Sequence, residues 1–222
     1  MKISVGKIQD CMKVTAIIPA YNEATRIGLV LVPLQRSPWV DEILVVDDGS
    51  GDETTLVAQR YGVKVITLPK NKGKAAALDI GVGAARNEAL LFLDADLIGL
   101  ETQHIDRMIM NYFEYRVDMV IGVFKNGRLN SDLSQRFSPY LSGQRVLSKG
   151  LWDQIKKKHK LDFGIEIALT KLVRKKGLKK RLVELDGVTH VMKEAKRGFS
   201  QGFADRLKMY TDIVRSLFTR VA

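Results

Sequence analysis

The chain has 222 residues, 45% of them hydrophobic and 27% charged, with a formal net charge of +11. That balance is the balance of a folded globular protein and excludes an intrinsically disordered polyelectrolyte. A single cysteine, Cys11, excludes an internal disulfide. No run reaches the roughly 18 uncharged apolar residues that span a bilayer, and the opening residues lack the apolar core of a secretory leader, so none is expected.

The charge is uneven. Residues 1–144 carry 16 Lys/Arg and 17 Asp/Glu, whereas residues 145–222 carry 20 and 8. The whole positive excess therefore lies in the last third, which suits an anionic substrate, an anionic membrane surface or nucleic acid.

In chain order, short apolar runs alternate with helix-compatible segments. Strands are expected at 14–18, 43–47, 63–67, 89–93 and 118–124, and helices at 23–35, 52–61, 72–86 and 102–115. Runs that are apolar throughout, rather than alternating, suit a parallel sheet covered on both faces. Strand–helix alternation with short links then implies a doubly wound, mostly parallel α/β sheet flanked by helices. Beyond residue 126 the reading is a polar loop to 140, helices over 144–159 and 165–176, and a strand over 182–186. A last amphipathic helix is expected over 199–220, with Phe199, Phe203, Leu207, Tyr210, Val214 and Leu217 on one face. The chain reads as one domain, 1–222. Its part from about 13 to 125 is the ligand-binding half, and about 126–222 is the other side.

Ligands in open α/β sheets bind beyond the carboxyl ends of the strands. Four polar groups fall there. Pro19, Ala20, Tyr21, Asn22 and Glu23 follow the first strand. Tyr21 offers a flat face for a base, and Asn22 is placed to cap the next helix. Asp47 and Asp48 end the second strand, where adjacent carboxylates need a donor-rich ligand, a cation or a helix terminus; a plain turn and cap is the competing reading. Asn71, Lys72, Gly73 and Lys74 open the third helix, an unfavourable place for lysines without an anion. Asp94 and Asp96 close the strongly apolar run 89–93 and, as residues i and i+2, point the same way. A divalent cation, Mg²⁺ or Mn²⁺, relieves their repulsion and bridges to a diphosphate.

The segments Val-Thr-Ala-Ile-Ile-Pro-Ala-Tyr-Asn-Glu, Val-Val-Asp-Asp-Gly-Ser, Asn-Lys-Gly-Lys and Leu-Asp-Ala-Asp, in this order, resemble family-2-type glycosyltransferases with the GT-A fold. The resemblance covers about residues 13–125. It implies that Pro19, Ala20, Tyr21 and Glu23 line a nucleoside pocket, and that Asp48 or Asp47 binds the base, usually uracil. Lys74 would approach the base or diphosphate. Asp94, Ala95 and Asp96 would form the DxD motif, with Asp96 the more direct metal ligand.

Further on, Leu141-Ser142-Gly143-Gln144-Arg145 looks like the segment that opens an acceptor site, which makes Ser142, Gly143 and Arg145 acceptor-side candidates. Asp162-Phe163-Gly164-Ile165-Glu166-Ile167 is similar to a stretch of glucosyl-3-phosphoglycerate synthases. In those enzymes a later histidine completes the metal site, and His190 is the matching residue here. Glu166 is the candidate base and Asp96 the second catalytic candidate.

The resulting expectation is a metal-dependent glycosyltransferase with a nucleoside-diphosphate sugar, UDP-sugar first, as donor and an anionic acceptor. The rivals are a peripheral-membrane transferase acting on a polyprenyl phosphate, a sugar-1-phosphate nucleotidyltransferase and a basic nucleic-acid binder. The nucleotidyltransferase reading lacks its Gly-rich loop after the first strand. The nucleic-acid reading has basic runs without a recognition motif. The expected location is the cytoplasm, with peripheral attachment at the inner membrane face as a variant, and the last helix is a candidate dimer contact.

Overall fold

The computed structural model describes residues 12–124, 142–155 and 164–190. The expected loop to 140, the residue Asp162 and the amphipathic helix at 199–220 lie outside them.

A seven-stranded sheet organises the molecule in the order β3-β2-β1-β4-β7-β6-β8. Its first half is built from β1 (Val14–Ala20), α1 (Ile27–Arg36), β2 (Val40–Asp47), α2 (Thr54–Arg60), β3 (Lys64–Thr67), α3 (Lys74–Ala84) and β4 (Ala89–Phe92). These four strands are parallel. The chain continues through β5 (Leu97–Ile98), α4 (Thr102–Glu114), β6 (Met119–Phe124), β7 (Arg145–Ser148) and α5 (Lys149–Asp153). It then forms α6 (Ile165–Lys175), β8 (Lys180–Leu185) and β9 (Thr189–His190).

The apolar runs are strands because both of their faces are covered. Along β1, Val14, Ala16, Ile18 and Ala20 face a core shared with α1, α2 and α4, while Ile17 faces the opposite core under α3, α5 and α6. β4 divides the same way, Ala89 and Leu91 to one side, Leu90 and Phe92 to the other. The second core is anchored by Trp152, which is fully buried, edge-on to Phe92 at 5.1 Å, and donates its indole N–H to Asp79 at 2.8 Å.

Two expectations change. Residues 144–159 do not form one helix: β7 runs over Arg145–Ser148 and only the short α5 follows. β7 is antiparallel to both β4 and β6, so it is inserted against the direction of the parallel strands. Helix α1 begins at Ile27, not at 23. Asn22 sits in the left-handed region at φ 57 and its side chain accepts from the Gly51 N–H at 2.8 Å, so it ties two loops together and caps no helix.

The small β5–β9 ribbon was not anticipated. Two-residue strands carry no periodicity to read. Among the described residues, no helix is long and apolar enough to cross a membrane.

Candidate active site

The carboxyl ends of β1, β2 and β4 bring the first, second and fourth polar groups to one edge of the sheet, and the loop into α3 brings the third. Each group is held by a different local device.

After β1, Ala20 is buried and its carbonyl accepts from the Asp48 N–H at 2.8 Å. Pro19 is half-buried and Tyr21 is 38% exposed. Glu23 is buried, accepts from Arg26 Nε at 2.8 Å, and donates its N–H to Thr54 Oγ1 at 2.8 Å.

The two aspartates after β2 are received by the protein itself. Asp47 accepts from the Ser50 N–H at 2.9 Å, from the Ser50 hydroxyl at 2.5 Å and from the Thr55 hydroxyl. Asp48 accepts from the Lys72 N–H at 2.7 Å through one oxygen and from the Gly73 N–H at 2.8 Å through the other. Asp47 therefore folds the turn, and Asp48 clamps the loop that precedes α3. Base binding by either carboxylate would have to use the lone pairs these bonds leave. Gly73 stands at φ 88, a conformation that L side chains rarely adopt, and this delivers its N–H to Asp48.

Lys74 is the hub. Its Nζ lies 2.6 Å from Asp94 Oδ1 and 2.6 Å from Glu166 Oε1, joining α3, the end of β4 and the first turn of α6. Burial disfavours the ammonium, but the two carboxylates overcome this and hold Lys74 above the ordinary lysine value. The lysine that seemed to call for an anion at a helix N-terminus already has two carboxylates.

Asp94 is 18% exposed in its side chain, and its second oxygen accepts from Gln144 Nε2 at 2.9 Å. This contact follows from the β4–β7 register. Phe92 pairs with Arg145, so the antiparallel strand brings Gly143 and Gln144 alongside Leu93 and Asp94. A Cβ on Gly143 would lie 2.6 Å from Lys74 Nζ and 2.7 Å from both Asp94 oxygens. Glycine lets the chain pass there without displacing the Lys74–Asp94 pair.

Ala95 is buried and Asp96 half-buried. The β5–β9 pairing sets the His190 backbone opposite Leu97, the residue after Asp96, although His190 lies far away in sequence. Among the described residues, no three His, Cys, Asp or Glu side chains are already gathered as a metal site. Asp94 and Asp96 stand just beyond the end of β4 rather than on it, so strand alternation does not set their directions. What they offer a hard divalent cation is the half-buried Asp96 carboxylate next to an Asp94 whose two oxygens already meet Lys74 and Gln144.

Two of the three acceptor-side candidates are internal. Arg145 is 1% exposed, donates to the Ser142 carbonyl at 2.9 Å and to Thr170 Oγ1 at 3.0 Å, and burial lowers its pKa to about 10. It staples β7 to α6 and offers nothing to a ligand arriving from solvent, which corrects the expectation for it. Ser142 is also buried, with its hydroxyl against the Gly122 carbonyl and 2.8 Å from Gln144 Oε1. Gly143 is the one of the three that passes directly beside Lys74 and Asp94, while the buried Arg145 feels the Glu166 charge from inside the fold.

A cavity of about 640 Å³ lies elsewhere, between α1, α2 and the start of α4, lined by Leu29, Val32, Tyr61 and Leu100 among others. It contains none of the candidate residues above.

The statistical model of the family described as glycosyl transferase family 2 matches residues 15–182. The chain belongs to that family. Human dolichyl-phosphate beta-glucosyltransferase is 38% identical over 100 residues, 38% of this chain and 31% of that protein. The 4,4'-diaponeurosporenoate glycosyltransferase of Staphylococcus aureus is 37% identical over 103 residues, 44% of this chain and 28% of that protein. These matches thus span about a third of the curated relatives' length.

The fold is shared with glucosyl-3-phosphoglycerate synthase from Mycobacterium tuberculosis. Its complex with Mn²⁺, UDP and glucosyl-3-phosphoglycerate superposes with a TM-score of 0.71 at 22% identity, over 94% of this chain and 85% of that one. The GT-A architecture expected from the motifs is therefore the observed one.

Proposed function

We propose that this chain transfers a sugar from a nucleoside-diphosphate sugar, UDP-sugar foremost, to an anionic acceptor, and that it needs a divalent metal to do so. The observation that carries the reading is the Lys74 junction. One ammonium gathers the first aspartate of the Asp-x-Asp pair and the acid of α6, so the lysine loop, the DxD and Glu166 converge on one point. Structures of the M. tuberculosis synthase with UDP-glucose, Mn²⁺ and phosphoglyceric acid support the same donor, metal and acceptor classes.

The residues divide the work by position. Tyr21 is the exposed aromatic beside the turn built by Asp47 and Asp48, the place for a base to stack. Asp96, with Asp94 and His190 as further candidates, would hold Mg²⁺ or Mn²⁺, which supplies positive charge to the departing diphosphate. Lys74 adds a second cation at the same edge. Glu166, at the N-terminal turn of α6, is the candidate proton acceptor for the attacking hydroxyl if the transfer inverts; in a retaining transfer it orients donor or acceptor.

Asp96→Asn tests the reading. UDP release from UDP-glucose, assayed with Mn²⁺ and a panel of phosphorylated acceptors, should fall by roughly 10²–10³-fold, with the melting temperature close to that of the wild type. Near-normal turnover in this variant would remove Asp96 and the DxD from the mechanism.

A second acceptor reading draws on the 20 basic against 8 acidic residues after position 144 and on the dolichyl-phosphate relative. In it the acceptor is a polyprenyl phosphate met at a membrane surface. Sedimentation with anionic vesicles at low salt is its test; failure to co-sediment eliminates it.

A further inference from the structure

Gln144 has so far been given no role of its own, yet it is fully buried and its amide meets a polar partner at each end. Nε2 donates to Asp94 Oδ2 at 2.9 Å, and Oε1 faces the Ser142 hydroxyl at 2.8 Å. Its main chain is fixed too: the carbonyl accepts from the Gly122 N–H at 2.9 Å, and its own N–H reaches Ser142 Oγ at 3.3 Å. A carboxylate only accepts, so the amide has to present its NH₂ to Asp94. Asp94 is thus gripped from two sides, by Lys74 on Oδ1 and by Gln144 on Oδ2.

The geometry points to Gln144 as a positioning residue for the Asp-x-Asp pair: its buried amide fixes the rotation of the Asp94 carboxylate so that nucleotide and metal meet a preset site. The inference rests on the nucleotide–metal reading above. A neutral donor suits the task. A second cation here would crowd Lys74, a carboxylate would repel Asp94, and an apolar side chain would leave Oδ2 without this partner. Glutamine has the reach from β7, and the antiparallel register puts it alongside the end of β4.

The test is UDP binding by calorimetry to the full chain, in Mn²⁺ and in EDTA, for wild type, Gln144→Met and Thr15→Val. Methionine keeps the volume and removes the donor. Thr15→Val removes buried hydrogen bonds to Glu42 and Asn87 at the far end of the same sheet, outside the site. We expect both variants to melt at lower temperature. Only Gln144→Met should lose about tenfold in UDP affinity with Mn²⁺, with less than a twofold change in EDTA.

Should Gln144→Met show no cooperative melt, Gln144→Glu carries the test. It keeps the length and the Ser142 contact but turns an acceptor toward Asp94, and should weaken Mn²⁺–UDP binding at least as much. Wild-type affinity in a folded position-144 variant, or an equal loss in Thr15→Val, would overturn the inference alone. A wild-type chain that binds no UDP with Mn²⁺ would remove the nucleotide–metal reading and this inference together.

Discussion

At the scale of single residues, the site depends on how closely Gly143 passes the Lys74–Asp94 pair. In Gly143→Ala the new methyl would sit 2.6–2.7 Å from the ammonium and both carboxylate oxygens. Those atoms are ends of flexible side chains, so the chain should still fold while the pair is pushed apart. Turnover is expected to fall by at least about tenfold, since misplacing charged groups by an ångström costs that much or more. Steady-state UDP release, read beside a melting curve, checks this; unchanged turnover would mean the pairing is not needed for chemistry. Asp94, Asp96 and Lys74 are candidates that local spacing and the family-2 resemblance mark in the sequence. Gln144 and Arg145 were not, because their partners are set by tertiary pairing. Gln144 meets Asp94 across 50 positions, through an antiparallel strand whose existence no local pattern announces. For the adjacent pair Asp47 and Asp48, the turn that the sequence offers as the competing reading is the one Asp47 folds. Nothing in Asp-Asp-Gly-Ser tells that the Lys72 and Gly73 amides close on Asp48.

At the scale of elements, β1, β2 and β4 and the helices between them were readable because these strands are apolar on both faces. β7 was misread because its four residues include a buried arginine, which looks like helix surface until Thr170 and the Ser142 carbonyl receive it. After β7, the short α5 matters through Trp152. Trp152→Ala removes a fully buried side chain from the core under α3 and should cost about 3–5 kcal/mol, measurable as a shift in the urea midpoint. Helix α4 gives a pH prediction. His104 is buried, and its Nδ1 accepts from the Glu101 N–H at 3.1 Å, a bond that a protonated ring cannot accept. Burial, then Arg107, holds its pKa below the ordinary 6.5, while Glu101 and Asp186 pull the other way. Above that value both folded and unfolded chains keep the ring neutral. Below it the unfolded chain takes the proton first, so stability is lost as pH falls through 6.5. His104→Gln keeps an acceptor and removes the titration. Its urea midpoint should fall less between pH 7 and pH 5 than that of the wild type, and equal slopes would refute the assignment.

At the scale of the whole molecule, the sheet turns four separate stretches of sequence into one edge. β1, β2 and β4 run parallel and end together, while β7 enters from the opposite direction and closes the cleft beside Asp94. In the function proposed above, this edge receives a nucleoside diphosphate together with a divalent cation. The most direct measurement is the melting temperature of the full chain with UDP, GDP or ADP, each in Mn²⁺ and in EDTA. A ligand at about 100 times its Kd stabilises by about 2.7 kcal/mol, which for a domain of this size is a rise of roughly 5–10 °C. Such a rise is expected with UDP in Mn²⁺, a much smaller one in EDTA, and none beyond the EDTA value in Asp96→Asn. No rise with any nucleoside diphosphate at millimolar concentration, with metal present, would contradict it.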